Sequence, residues 1–247
     1  MDIKQYLDST YLKTAEQAGI SEAENKDVVR AAVAEAIEEK FKLIMIRPDM
    51  VAMAKQMIAD AKSQVLIGTV IDFPEGKASL EDKLAEAEKA IADGADDLDF
   101  VIDYTGFKAG DIAGVKQQVV ACTQLGRKHG KTVKWIIETA ALNGHEIVQL
   151  SALVKNCVIT HLCEDDYNHV FVKSSTGFYK TENGQPNGAT VEAVKLMLEN
   201  SFPLPVKASG GVRSYDEAVQ MVQLGVKRIG TSSAKAIAHG QAAEGGY

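Results

Sequence analysis

Eight times along this chain a short β-branched or apolar run is followed by a longer amphipathic stretch, and no other feature limits the fold as much. The runs lie near 5–9 (QYLDS), 43–47 (LIMIR), 65–71 (VLIGTVI), 97–102 (DLDFVI), 132–138 (TVKWIIE), 169–174 (HVFVKS), 205–209 (PVKAS) and 227–231 (KRIGT). Two of the intervening stretches show helical character plainly. In ENKDVVRAAVAEAIEEKF, Val28, Ala31, Ala32 and Ala36 recur at helical spacing. SLEDKLAEAEKAIADG opens on Ser79 as an N-cap, carries Asp82 three residues later and closes on Gly94. Strands that alternate with helices run parallel and are joined by crossovers, and eight such units can close into a (β/α)₈ TIM barrel. An open doubly wound sheet is the other architecture to weigh, but no GxGxxG opens the first helix.

A barrel of this kind needs about 250 residues, and the chain has 247. No Pro/Gly/Ser-rich linker or charge block divides it, so residues 1–247 are expected to form one barrel domain. HGQAAEGGY (239–247) is glycine-rich and without periodicity, which predicts a flexible C-terminal tail. The longest irregular stretch, FYKTENGQPNGA (178–189), follows the sixth strand and would lie on the C-terminal face, where barrels build active sites.

Several function classes fall away. No apolar run reaches 18 residues, so no membrane span is expected. MDIKQYLDST lacks the basic and apolar regions of a signal peptide, which argues for the cytoplasm. Cys122, Cys157 and Cys163 form neither a CxxC pair nor an even set, in keeping with reduced, buried thiols. The five histidines are scattered without HExxH or a Cys/His cluster, so no metal site is expected. A net charge of −7 disfavours a general nucleic-acid surface, yet a few lysines in one cleft could hold a small anion. A homodimer is an allowed assembly.

Parallel strands buried on both faces should read as continuous apolar runs, and this chain departs from that rule repeatedly. Asp8, Arg47, Asp72, Asp99, Lys134, Glu138, Lys173 and Lys207 all interrupt strand-like segments or sit at their ends. Side chains alternate along a strand, so His169, Phe171 and Lys173 share a face. So do Asp97, Asp99, Val101 and Asp103, and likewise Lys134, Ile136 and Glu138. If those faces point inward, the lumen holds at least two lysines and two carboxylates. Any one of these charges could belong to a structural ion-pair network. Several together argue for a site, because each buried ion costs several kcal/mol, about as much as its pairing returns.

Three segments, DGADDLDFVID (93–103), VFVKSSTGF (170–178) and VKASGGVRS (206–214), precede the ending LGVKRIGTSSA (224–234). In order and spacing they resemble deoxyribose-phosphate aldolases across roughly residues 5–235. The resemblance implies reversible cleavage of 2-deoxy-D-ribose 5-phosphate to acetaldehyde and D-glyceraldehyde 3-phosphate, with no metal and no organic cofactor. It places the Schiff-base lysine on Lys173, a second active-site lysine on Lys207 and an acid/base aspartate on Asp99. Asp8 and Thr10 match polar groups that hold substrate hydroxyls and a water, and Tyr247 matches a proton-carrying C-terminal tyrosine. Ser9, Tyr11, Met45, Asp72 and Phe178 depart from the common pattern; some members have a phosphate-holding lysine where Phe178 stands.

The chemistry suits these residue types. An amine nucleophile must be unprotonated, and a lysine with pKa near ~10.4 is neutral in only about one molecule in 2,500 at pH 7. Burial and a neighbouring cation lower that pKa, and Lys207 is placed to be the cation. Phosphate would be held by backbone N–H groups at Gly210 and Gly211, by Ser232 and Ser233, and by Gly177 across the cleft. Gly210-Gly211 could equally be a tight βα turn, and Ser232 and Ser233 helix N-caps. Arg213 is expected in a structural ion pair and Lys180 in solvent. Three rival functions stay open: a barrel isomerase or synthase using Lys173 as an electrostatic group, a non-catalytic sugar-phosphate binder, and a Schiff-base aldolase for another aldehyde.

Overall fold

The computed structural model describes residues 1–182 and 185–241. In chain order its elements are β1 (Leu7–Thr10), α1 (Ala15–Ala18), α2 (Glu22–Glu39), β2 (Leu43–Ile46), α3 (Val51–Asp60), β3 (Leu66–Ile71), α4 (Leu80–Asp93), β4 (Asp97–Val101) and α5 (Tyr104–Lys108). There follow α6 (Ile112–Lys128), β5 (Thr132–Ile136), α7 (Gly144–His161), β6 (Val170–Lys173), α8 (Val191–Ser201), β7 (Val206–Ser209), α9 (Tyr215–Leu224), β8 (Arg228–Thr231) and α10 (Ala234–Ala238). The eight strands pair in sequence order, all parallel, and β8 returns to β1 to close a (β/α)₈ barrel. No helix among the described residues is long and apolar enough to cross a membrane.

The first strand begins two residues later than its apolar run suggests. Asp2 caps a 3₁₀ turn over Ile3–Tyr6 by accepting from the Lys4 N–H, and this turn takes up the start of the expected strand. Helix α2 turns inward a face that overlaps the expected one only at Ala36 and, partly buried, Ala32. Val29, Val33 and Ala36 are buried with Asn25, whereas Val28 is exposed and Ala31 faces solvent. The run of apolar residues there is wide enough to fit two helical registers, and alanine marks neither. The capping signals hold in α4: Ser79 accepts from the Asp82 N–H, and Gly94 closes the helix at φ 106°.

Two apolar bodies hold the barrel. The larger lies between strands and helices and is anchored by Trp135, fully buried, stacked on Phe100 at 5.1 Å and donating to Thr123 Oγ1 at 2.9 Å. The smaller, Leu12, Leu43, Met45 and Val70, clusters separately from it on the β1–β3 side. At the seam, Glu39 at the end of α2 takes Lys4 Nζ at 2.8 Å and His239 Nε2 at 2.9 Å, tying both chain ends together. These hydrogen bonds, the Lys4 one first, hold Glu39 down to about 2. His239, Gly240 and Gln241 bond back onto α10, so the expected tail is anchored as far as it is described. Tyr247 lies outside the described residues.

The α4 cap gives a direct test. Ser79→Ala should cost about 1 kcal/mol, read as a lower urea midpoint at unchanged slope; a midpoint at the wild-type value would show that the cap does not contribute.

Candidate active site

The lumen is divided. Its β1–β3 side carries the small apolar cluster, while β4 to β8 and the start of β1 send charged side chains inward. Strand register explains the grouping: Asp99 pairs beside Lys134, Lys173 beside Lys207, and Lys207 beside Arg228. Asp99 is the hub. Its Oδ2 accepts from Lys173 Nζ and Lys207 Nζ, each at 2.9 Å, and its Oδ1 accepts from Lys134 Nζ at 2.7 Å. Lys134 Nζ also reaches Asp97 Oδ2 at 2.7 Å. Lys207 Nζ lies 2.5 Å from Asp8 Oδ2, whose Oδ1 takes both Nε (2.7 Å) and Nη2 of Arg228. Arg228 Nη1 sits 3.5 Å from Asp97. All seven side chains are buried, Lys173 at 3% exposure.

The arithmetic of this network is uneven. Four cations (Lys134, Lys173, Lys207, Arg228) face three carboxylates (Asp8, Asp97, Asp99). Burial raises the carboxyl of Asp99, but Lys134, Lys173 and Lys207 outweigh it and hold the group well below the usual range. Burial likewise raises Asp8, and Arg228 and Lys207 bring it below its ordinary value. Burial lowers Lys134, but Asp97 and Asp99 leave it above normal. Lys173 goes the other way. Burial pulls it down, Asp99 opposes, and Lys207 and Lys134 push it down further, to about 8.

Lys173 opens onto a cleft at the C-terminal face, of about 460 Å³ including space open to solvent. Thr10, Gly177, Gly210, Gly211 and Ser232, all candidates for holding substrate, line it together with Thr176. Thr10 Oγ1 donates to the Asp8 carbonyl at 2.9 Å. Gly210 adopts φ 80°, and a Cβ there would lie 2.8 Å from the Gly188 Cα, so the turn needs glycine to let the 185–190 loop approach. Gly230 serves the lumen in the same way, since a Cβ would crowd Lys207 Cε at 3.1 Å. Ser232 is exposed at the rim. Ser233 is buried, precedes α10 and makes no side-chain cap bond.

Other strand-end charges do different work. Arg47 donates through Nε to the Leu12 carbonyl at 2.7 Å and lies 4.8 Å from the Phe73 ring centroid. Phe73 meets Phe178 edge-on at 5.1 Å, forming an aromatic rim at that position. Asp72 bonds the Ala78 N–H at 2.8 Å and pairs with buried Lys83 at 3.2 Å, fixing the β3–α4 loop. His169 is exposed and Asp103 caps α5 by accepting from the Gly106 N–H, so neither continues its strand face into the lumen. Arg213 corrects an expectation: among the described residues no ion pair holds it, and it lines the cleft. Lys180 is exposed, as expected.

Sequence reasoning left Asp97 and Arg228 out of the site and named Lys134 and Glu138 only as members of a strand face. Asp97 lies two residues before Asp99, which by strand alternation gave the signal. Arg228 offered less, because one arginine at the foot of a strand commonly points to solvent. Glu138 leaves the strand altogether, with φ 57°, and accepts from the Thr176 N–H at 3.1 Å and from its hydroxyl.

Removing Lys134 tests the network. Lys134→Met leaves Asp97 and Asp99 short of a partner in a dry interior and should cost about 3–5 kcal/mol of stability. Chemical denaturation reads this directly, and a loss under 1 kcal/mol would show that water already screens these charges.

The chain is similar to known proteins along nearly its whole length. Residues 10–242 match the model of the DeoC/LacD family aldolase. The deoxyribose-phosphate aldolase of Thermococcus gammatolerans is 37% identical over 241 residues, covering 97% of this chain and 96% of its own. Deoxyribose-phosphate aldolase 1 of Staphylococcus aureus is 36% identical over 248 residues, covering all of both chains. The tetrameric deoxyribose phosphate aldolase of Aeropyrum pernix superposes with a TM-score of 0.75 at 28% identity, over 96% of this chain and 89% of that one. A closed barrel with paired lumen lysines, matched along nearly its whole length, places this chain in the DeoC/LacD family of aldolases.

Proposed function

We propose that this chain is a class I deoxyribose-phosphate aldolase that works through a Schiff base on Lys173. The observation that carries the reading is one buried lysine, opening on a cleft, with its pKa brought down to about 8. At pH 7 roughly a tenth of such lysines are neutral, some two orders of magnitude more than for a free lysine. The curated relatives named above support the substrate, as do Gly177, Gly210, Gly211, Ser232 and Arg213 around the cleft.

The neutral Nζ of Lys173 attacks C1 of the open-chain sugar phosphate to give a carbinolamine, which loses water to an iminium. Products of two and three carbons require the C2–C3 bond to break. As it does, the C3 hydroxyl gives up its proton and the bonding electrons flow to the iminium nitrogen, leaving an enamine and glyceraldehyde 3-phosphate. Protonation of the enamine at C2 and hydrolysis release acetaldehyde and return the lysine. The iminium is the electron sink, so the sequence of steps closes on this chain's own residues. Asp99 stays ionised, which stabilises the positive iminium and gives protons a path between Lys173 and Lys207 through Oδ2. Asp8 acts through Lys207, holding its ammonium in place. Thr10 would meet a substrate hydroxyl at the cleft wall. Tyr247 is the residue that the family resemblance offers for protonating C2.

Two experiments test this reading. Deoxyribose 5-phosphate should release acetaldehyde, and borohydride added during turnover should fix a carbon fragment to the Lys173 peptide. Label on Lys207, or label that survives Lys173→Ala, would refute the assignment.

The pH profile is the second. Below pH 8, kcat/KM should fall about tenfold per unit as Lys173 takes up its proton. Lys207→Leu removes a like charge and leaves Asp99 Oδ2 to Lys173 alone, and both changes favour the ammonium. The limb should therefore move to higher pH and activity at pH 7 should drop; a limb that stays in place would separate Lys207 from the nucleophile.

A further inference from the structure

Directly after Lys173 the chain makes the turn Ser174–Gly177, and Thr176 and Gly177 line the cleft. That turn is pinned from both neighbouring strands. On the β7 side, Ser174 Oγ donates to the Ser209 carbonyl at 2.9 Å and Ser209 Oγ donates to the Ser175 carbonyl at 2.6 Å. On the β5 side, the Thr139 N–H donates to the Ser174 carbonyl at 2.9 Å, and the Thr139 and Ser175 hydroxyls meet at 2.9 Å. None of these contacts holds the tip of the turn. Glu138 does. Its Oε2 accepts both the N–H and the hydroxyl of Thr176, and Thr176 Oγ1 in turn accepts from the Phe178 N–H at 3.0 Å.

Three features of Glu138 exceed what a firm turn needs. Its backbone is left-handed, at φ 57° and ψ 67°, a region that glutamate seldom occupies and that persists where the surroundings impose it. Its carboxyl is buried, with the residue only 1% exposed. And Oε1 is buried with no hydrogen-bond partner, an arrangement that stability alone disfavours.

We infer that Glu138 is a positioning residue for the aldolase reaction: a carboxyl clamp on the cleft turn that stays closed whether or not it carries a proton. The inference rests on the aldolase reading above. Both Thr176 bonds end on Oε2, which leaves Oε1 able to take a proton without opening either of them. Burial acts in that direction, raising the carboxyl above its ordinary value, while the Thr176 bonds, the charge of Lys173 and the nearby Ser175 hydroxyl pull against it. Lys173 passes from ammonium to amine to iminium in each turnover, so a group within its field meets a changing potential. Bonds that ended on both oxygens would loosen when that change moved a proton; bonds confined to Oε2 do not. The turn then presents Thr176 and Gly177 to the sugar phosphate in one geometry throughout the cycle.

Glu138→Gln mimics the protonated carboxyl and keeps one oxygen for Thr176; Glu138→Leu removes the clamp; Thr176→Val removes its hydroxyl arm. With deoxyribose 5-phosphate, Glu138→Leu should raise KM on the order of 10- to 100-fold, the worth of a hydrogen bond to a charged group. Its kcat, and borohydride trapping of Lys173 by acetaldehyde alone, should stay within a few-fold of wild type. Glu138→Gln should restore KM to near wild type, and Thr176→Val should reproduce part of the rise. Amide hydrogen exchange at Thr176 and Phe178 should quicken in Glu138→Leu and not in Glu138→Gln. An unchanged KM in Glu138→Leu, or a Gln variant as impaired as the Leu variant, overturns the clamp. If Glu138→Leu does not fold, a wild-type KM in Thr176→Val does so instead. If the wild-type enzyme fails to release acetaldehyde, the substrate reading fails, and the exchange measurement still decides the clamp.

Discussion

The structure depends on a buried charge imbalance. Three carboxylates in the barrel lumen hold four cations, and the surplus falls on the cation with the weakest hold. Lys134 has Asp97 and Asp99, Lys207 has Asp8 and Asp99, and Arg228 has Asp8 and Asp97. Lys173 has one carboxylate, Asp99, at an oxygen it shares with Lys207. Loss of its proton brings the lumen to neutrality, so the same electrostatics that keep the network folded favour an amine at that position. Arginine at the foot of β8 suits this balance, because a guanidinium stays charged and cannot take Lys173's place as the group that yields.

The apolar half of the lumen makes the imbalance effective. Leu12, Leu43, Met45 and Val70 fill the β1–β3 side, and the Phe73–Phe178 pair closes the rim above them. A watery lumen would screen these charges and let Lys173 hold its proton as tightly as a free lysine does. The loops that carry the rim are fixed by charges that stay out of the lumen network, Arg47 on the Leu12 carbonyl and the Lys83–Asp72 pair under the β3–α4 loop. Charged residues at strand ends therefore divide into those that set the chemistry and those that shape the opening.

Much of this was legible before any coordinates. The eightfold alternation implied a barrel, and strand periodicity placed Asp99 with Asp97 and Lys134 with its neighbours, because a two-residue repeat leaves little freedom. Helical periodicity was weaker evidence. In α2 an alanine-rich surface fits more than one register, and Val29 rather than Val28 went inward. Arg213 and His169 lie elsewhere than the sequence implied, because their positions depend on loop paths that neighbouring loops decide. Glu138 was visible as a charge after Ile136-Ile137, but its turn into left-handed backbone toward Thr176 depends on contacts 38 residues away. Partners so distant in sequence leave no local pattern.

Asp8 and Arg228 lie 220 residues apart in the chain, and their contact spans the strands that close the barrel. Until β8 docks, Asp8 has lost its guanidinium partner and Asp97 has only Lys134, so the lumen carries three lysines against three carboxylates and no surplus positive charge. Arg228 brings that surplus when the last strand closes. The charge network is thus complete only with ring closure, because its members come from both ends of the chain.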